Sequence, residues 1–323
     1  MSTTEPLLFL KGHGTENDFV IVPDPDGHLE LSAAVAARIC DRRAGVGGDG
    51  LLHVVRSAAH PEAQAMAPDA EWFMDYRNGD GSIAEMCGNG VRVFARYLRY
   101  AGLADEGDLA IATRAGVRRV HVAKAVAKAL PSAASQDEGQ AGGDITVTMG
   151  RALLPAGLDA SVTVSVGARS WPARHVNMGN PHAVAFVDDL ADAGDLFSAP
   201  GVQPASVYPD GVNVEFVVSR GPRHVAMRVH ERGVGETRSC GTGACAVMVA
   251  AARRDGLDPA ELGHPVTYTV DVPGGRLAIS EFPDGSVEMT GPAVIVAQGT
   301  LDPAWLRTTL GSDGERGAGP LSG

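Results

Sequence analysis

Cys87-Gly88-Asn89-Gly90-Val91-Arg92-Val93-Phe94-Ala95-Arg96-Tyr97-Leu98-Arg99-Tyr100-Ala101-Gly102 and Cys240-Gly241-Thr242-Gly243-Ala244-Cys245-Ala246-Val247-Met248-Val249-Ala250-Ala251-Ala252-Arg253-Arg254-Asp255-Gly256 follow one plan. Each opens on Cys-Gly-x-Gly, continues as an apolar stretch and closes on glycine. In the first, Val91, Phe94, Ala95 and Leu98 recur at helical spacing, and Gly102 is a C-terminal stop. The second is apolar almost all round until its two arginines, which predicts a buried central helix ended by Gly256. A polar residue stands nine positions before each cysteine, Asn78 in one case and Glu231 in the other.

The duplication organises the chain. It predicts an α/β (α+β) fold of two similar domains, each a strand-rich, barrel-like sheet around one long helix. The boundaries are set at 1–144 and 145–289, with a segment at about 290–310 returning to the first domain. The two Cys-Gly-x-Gly turns are expected to meet in the cleft between the domains. Other predicted elements are a strand over 7–22 broken by Gly12–Asp18, a helix over about 32–42, and strands Leu51–Val55, Trp72–Tyr76, Ile145–Met149, Trp171–Val176, Ala183–Val187, Val212–Val217 and His224–His230. Residues 57–70 and 131–144 read as loops, and 311–323 as a disordered tail.

A helix N-terminus presents unpaired N–H groups and the positive end of the helix dipole. A cysteine placed there is biased toward thiolate. The following glycines allow a ligand close to the backbone, and the first-turn amides suit an anion such as a carboxylate. Two such thiols suit a device in which one sulfur takes a proton and the other returns one, the chemistry that inverts a carbon stereocentre. Cys40, at a helix end, and Cys245, inside the second helix, lack this setting and read as inert packing thiols.

Composition narrows the class. The chain has 323 residues and a formal charge of −12, which argues against bulk nucleic-acid binding. No apolar run approaches the ~18 residues of a membrane span. The N-terminus, Met-Ser-Thr-Thr-Glu-Pro, has no secretory pattern, so a cytoplasmic location is expected. Four cysteines in a chain this long do not make a disulfide framework, and neither motif has the paired ligands of a zinc site, so no metal is expected. Lysine is confined to positions 11, 124 and 128, none in a setting suited to a pyridoxal Schiff base, which points to chemistry without a cofactor.

Five ordered motifs carry a resemblance. They are Lys11-Gly-His-Gly-Thr-Glu-Asn-Asp-Phe19, Asn78-Gly-Asp-Gly-Ser-Ile-Ala-Glu-Met-Cys-Gly-Asn-Gly90, Asn177-Met-Gly-Asn-Pro-His182, Gly211-Val-Asn-Val214 and Glu231-Arg-Gly-Val-Gly-Glu-Thr-Arg-Ser-Cys-Gly-Thr-Gly243. From about Leu8 to Val296 the chain resembles the diaminopimelate epimerase family, cofactor-independent enzymes that interconvert LL- and meso-2,6-diaminopimelate. The resemblance implies that Cys87 and Cys240 are the acid/base thiols. It implies a carboxylate cradle from the amides of Gly88, Asn89, Gly241 and Thr242, and a hold on the reacting amino group by Asn17 and Asn180. Asn78, Asn213, Glu231 and Arg232 are implied as readers of the remote amino-acid head, with His182 as an auxiliary group. A carboxylate suits a remote ammonium, and a guanidinium fork suits a remote carboxylate. The implied partner is this small molecule, with a homodimer as the assembly considered and neither nucleic acid nor membrane.

Gly50 departs from the pattern, since some family members carry glutamine there. Three other readings stay open, one of them an isomerase like the phenazine-pathway relatives, which share the fold but lack the cysteine pair. A proline or hydroxyproline racemase of the same superfamily tends to have histidine where this chain has Asn89 and lacks the Glu-Arg-Gly-x-Gly-Glu lead-in. A noncatalytic amino-acid-binding protein would need the cradle but not two thiols.

Overall fold

A computed structural model describes residues 6–123, 143–154 and 162–306. The loop expected at 131–144, apart from its last two residues, lies outside that range, as do Lys124, Lys128 and the segment 311–323. The elements run β1 (Leu7–Gly14), β2 (Asn17–Pro23), α1 (Ala33–Cys40), β3 (Gly50–Arg56), β4 (Trp72–Asn78), α2 (Gly88–Tyr100), β5 (Gly107–Thr113), β6 (Gly116–Val122), β7 (Ile145–Arg151), β8 (Val162–Val166), β9 (Arg169–Asn177), β10 (Pro181–Phe186), β11 (Gly201–Gln203), β12 (Asn213–Gly221), β13 (His224–Glu231), β14 (Gly235–Glu236), α3 (Gly241–Arg254), α4 (Pro259–Leu262), β15 (Val266–Val272), β16 (Gly275–Glu281), β17 (Ser286–Gly291) and β18 (Val294–Leu301). The fold is mixed α/β, rich in strands and poor in helices. Among the described residues no helix is long and apolar enough to cross a membrane.

Contacts divide the chain into two compact units. Among the described residues, one holds 6–14, 18–123 and 293–306, and the other holds 15–17, 143–154 and 162–292. In the first unit β2 pairs parallel with β3, β3 antiparallel with β4, β4 parallel with β5, and β5 antiparallel with β6. β1 pairs antiparallel with β18. α2 touches β1, β3, β4, β5, β6 and β18, so this sheet curls around it. In the second unit β10, β12, β13, β15 and β16 repeat the same alternation of parallel and antiparallel pairs. There α3 is the enclosed helix, touching β9, β10, β12, β13, β15, β16 and β17.

Each central helix is the crossover between two parallel neighbours: β4–α2–β5 in one unit and β13–α3–β15 in the other. Each also ends alike. Gly102 and Gly256 adopt left-handed φ of 68° and 72°, and the next residue turns its N–H back, Leu103 to the Leu98 carbonyl and Leu257 to the Ala252 carbonyl, both at 2.8 Å. Residues Ala244–Ala252 are all fully buried, as their unbroken apolar character predicts. Their small side chains let a sheet close tightly around the helix.

The structure corrects several details. The break expected over Gly12–Asp18 shrinks to Thr15 and Glu16, both at positive φ (50° and 60°), and β1 runs on through Gly14. Gly12 and Gly14 serve close packing instead: a Cβ on Gly12 would stand 2.8 Å from the Val294 carbonyl, and one on Gly14 3.0 Å from the Arg92 guanidinium. Residues 57–70 contain two single 3₁₀ turns. β5, β6, β8, β11, β14 and β15–β18 are strands that the sequence reading does not name.

Candidate active site

Cys87 has extended backbone (φ −136°, ψ 121°) and forms the N-cap of α2. The first intrahelical bond is donated by the Val91 N–H to the Cys87 carbonyl at 2.8 Å. Helix geometry therefore gives the amides of Gly88, Asn89 and Gly90 no acceptor within the helix. The Asn89 side chain turns inward, where its Oδ1 accepts from Arg92 at 2.9 Å, and both side chains are fully buried. Of Asn89, only the backbone is left at the helix end. Cys87 itself is partly exposed. Asn78 ends β4, and its Nδ2 donates to the Ser82 hydroxyl at 2.9 Å. In register beside it stands Gly50. A Cβ at 50 would lie 2.7 Å from both the Arg77 carbonyl and the Tyr76 ring, so Tyr76 fills the space that a larger residue there would need.

Cys240 is the N-cap of α3, with the same extended backbone (φ −115°, ψ 114°). Its sulfur accepts from the Gly243 N–H at 3.4 Å and lies 3.6 Å from the Thr242 hydroxyl. Unlike Cys87, it is buried, 5% exposed. Burial, reinforced by the negative charges of Glu231 and Glu215, pushes its pKa well above the ordinary thiol value and outweighs the helix end and the Thr242 and Gly243 contacts. The expected bias toward thiolate is thus reversed at this cysteine.

Around Cys240 the fold gathers several of the sequence candidates. Asn180, just ahead of β10, sends Nδ2 to the Thr242 hydroxyl at 3.4 Å. Its Oδ1 meets His182 Nε2 at 3.0 Å, and His182 Nδ1 meets Glu215 Oε1 at 2.6 Å. Glu231 contacts both the Thr237 hydroxyl and the Cys240 thiol, and burial raises its carboxyl pKa. Asn17 opens β2 in the turn that clusters with this unit. That turn is fastened beside Cys240 by Thr15 to Ser239 at 2.6 Å and by an ion pair of Glu16 with Arg238.

The Glu231–Arg232 pair separates. Glu231 turns to the thiol, whereas the Arg232 guanidinium donates to the Asp210 carbonyl at 3.3 Å and lines a concavity of about 330 Å³ with Tyr208 and His230. Asn213 is 3% exposed and braces the pair from below, accepting from the Arg232 N–H at 3.0 Å and donating to the Pro181 carbonyl at 3.3 Å. Glu215 is absent from the sequence candidates. Its signal was available: one carboxylate inside the apolar run Val212-Asn-Val-Glu-Phe-Val-Val218 needs a buried partner. Cys40 and Cys245 are buried, and burial pushes the Cys40 pKa up to about 12. Among the described residues no group of three His, Cys, Asp or Glu side chains could hold a metal ion.

A family model described as diaminopimelate epimerase matches residues 9–152 and 174–296. The chain belongs to the diaminopimelate epimerase family. It is 71% identical over 304 residues to the diaminopimelate epimerase of Streptomyces coelicolor, covering 94% of this chain and 98% of that one. Against the diaminopimelate epimerase of Rhodococcus jostii it is 45% identical over 311 residues, 92% of this chain and 98% of the other. Members of this family are isomerases acting on amino acids, and the chain is such an enzyme. Among solved structures the fold is similar to a Bacillus anthracis phenazine biosynthesis protein of the PhzF family (TM-score 0.65, 17% identity, 93% of this chain and all of that one). It is also similar to a hydroxyproline epimerase from Agrobacterium vitis (TM-score 0.59, 13% identity, 95% and 96%).

Proposed function

We propose that the chain interconverts LL- and meso-2,6-diaminopimelate by a two-base mechanism without a cofactor, in the cytoplasmic synthesis of lysine and peptidoglycan precursors. One observation carries the reading: in each half of a structural repeat the same position, the N-cap of a buried crossover helix, is a cysteine.

The chemistry follows from that placement. The substrate carboxylate is held by helix-end amides at Gly88 and Asn89 and at Gly241 and Thr242. These donors also stabilise the enediolate-like charge as Cα loses its proton, and one such donor is worth on the order of 3 kcal/mol. Cys240, held as a thiol by burial, gives a proton to one face while Cys87 takes one from the other, and the roles exchange in the reverse direction. Asn17 and Asn180 hold the reacting amino group. Asn78, Asn213, Glu231 and Arg232 read the remote head, and each domain of about 1–144 and 145–289, with the returning C-terminal segment, contributes one thiol. A homodimer is the assembly we propose.

The test is incubation of purified, reduced protein with LL-diaminopimelate in deuterated water, with chiral chromatography of the products. The meso isomer carrying deuterium at Cα is expected. Exchange without inversion, or turnover of proline at a comparable rate, defeats the assignment.

A further inference from the structure

We propose that Glu215 is a positioning residue for the reaction, anchoring the ring of His182 as a donor at both nitrogens and through it the side chain of Asn180 beside Cys240; this rests on the epimerase reading above. Four polar contacts in series join the Glu215 carboxylate to the sulfur: Glu215 Oε1 to His182 Nδ1 at 2.6 Å, His182 Nε2 to Asn180 Oδ1 at 3.0 Å, Asn180 Nδ2 to Thr242 Oγ1 at 3.4 Å, and Thr242 Oγ1 to Cys240 Sγ at 3.6 Å.

The fold builds this series deliberately. β10 and β12 pair in parallel with His182 opposite Asn213, so Glu215, two residues on, projects from the same face as Asn213. Both His182 and Glu215 have fully buried side chains. Glu215 therefore does not reach a substrate itself. Its Oε2 has no hydrogen-bond partner among the described residues, an arrangement that weakens the fold rather than strengthening it. The α3 N-terminus closes over the pair: a Cβ on Gly243 would stand 2.8 Å from Glu215 Oε1 and 3.2 Å from Cys240 Sγ. Both ring nitrogens face an oxygen that only accepts, the Glu215 carboxylate at Nδ1 and the Asn180 amide oxygen at Nε2, so both are donors. The carboxylate anchors the ring from behind, Nε2–H holds the amide oxygen, and the amide nitrogen is left facing Thr242. The logic is that of any imidazole held in register by an acid behind it.

Glu215→Leu removes the acceptor at similar size, and Glu215→Gln keeps a neutral one. The ring ¹⁵N shifts of His182, assigned with His182→Asn, read which ring nitrogens carry hydrogen without any substrate. In the wild type both are expected to carry hydrogen, and in Glu215→Leu the hydrogen on Nδ1 is expected to be lost. With diaminopimelate, kcat is expected to fall at least about tenfold in Glu215→Leu and less in Glu215→Gln, with KM changed by no more than about twofold. Glu215→Leu combined with His182→Asn is expected to be no slower than His182→Asn alone. If Glu215→Leu does not fold, Glu215→Gln carries the test by the same readouts. An unchanged pattern of ring hydrogens, unchanged kcat, or losses that multiply in the double variant would overturn the proposal. A wild type inactive on diaminopimelate defeats the substrate reading instead, while the ¹⁵N result still decides the role of Glu215 toward His182.

Discussion

Asn78 and Glu231 occupy the same place in the two halves of the molecule. Each is the last residue of a strand that leads toward a central helix, β4 for one and β13 for the other, with only the two-residue β14 intervening in the second case. Each stands nine residues before the cysteine that caps that helix. One is an amide held in a turn by Ser82, the other a buried carboxylate against Thr237 and the Cys240 thiol. Matching positions of the repeat thus carry unlike polar groups in unlike settings.

The thiols come first among the tests. Cys87→Ala and Cys240→Ala should each abolish epimerisation, because inversion needs an acid and a base on opposite faces. Cys240→Ser should fold normally and lose most of kcat, a hydroxyl being a far weaker acid. Full activity in either alanine variant would refute the two-base mechanism.

The two motif glycines should respond differently to the same change. At Gly90 an added Cβ would meet nothing nearer than Leu52 at 3.4 Å, so Gly90→Ala should be tolerated. At Gly243 it would meet Glu215 at 2.8 Å and the Cys240 sulfur at 3.2 Å. Gly243→Ala should lower kcat at least tenfold despite the roughly 1 kcal/mol of helix propensity that alanine brings. Steady-state assays of the two variants side by side, with thermal melts, check the contrast.

Recognition of the remote head is testable at Arg232. A charge-assisted hydrogen bond contributes roughly 1.5–3 kcal/mol, so Arg232→Ala should reduce kcat/KM for diaminopimelate by at least about tenfold. Wild-type activity toward lysine, which lacks the second carboxylate, should already be poor and should change little. Equal losses on both substrates would remove Arg232 from the recognition set.

Stability should depend on pH through a buried cluster in the first unit. His53 lies between Asp24 at 3.0 Å and Asp75 at 3.2 Å. Burial alone would lower its pKa, but the bonds to Asp24 and Asp75 prevail and raise it above 6.5. Burial opposes ionisation of Asp24, yet His53 and the Leu29 and His28 amides bring its pKa down to about 2. The histidine contribution is therefore complete below pH 6.5 and lost as pH rises through the raised value, and the Asp24 contribution is lost only as pH falls toward about 2. Melting temperatures across neutral pH should drop more steeply in the wild type than in His53→Gln.

A second buried pair should matter without touching the chemistry. Arg253 grips Glu281 with two bonds, at 2.8 and 2.6 Å, tying the end of α3 to β16. Arg253→Met leaves a carboxylate 4% exposed without its guanidinium and should cost about 3–5 kcal/mol in denaturant unfolding. The Arg253→Met, Glu281→Leu double variant should recover much of it.

Local periodicity made the helices legible. Ala244–Ala252 could only be a buried helix, and Ser32 and the terminal glycines marked the ends that the structure has. Duplicated cysteines made the repeat visible, since the same turn recurs with the same upstream spacing. Other features depend on contacts that a linear reading does not contain. Gly12 and Gly14 look like turn formers but are clearances for Val294 and Arg92, far away in sequence. The reversal at Cys240, from thiolate to thiol, comes first from burial and then from Glu231 and Glu215, brought to it by two separate strands. Glu231 and Arg232 are neighbours in the chain, yet their side chains serve different places because Glu231 ends β13 and Arg232 already belongs to the turn that follows.

α3 carries Cys240 at its cap and Cys245, wholly buried, one turn further in. The two sulfurs therefore sit on one rigid element at different depths, and alkylation will time two different events. Modification of Cys240 reports the breathing of the helix mouth, whereas modification of Cys245 waits until the sheet around α3 has come apart. The ratio of those two rates, read by mass spectrometry in one sample, gives the enzyme a built-in clock for how far its second unit has opened.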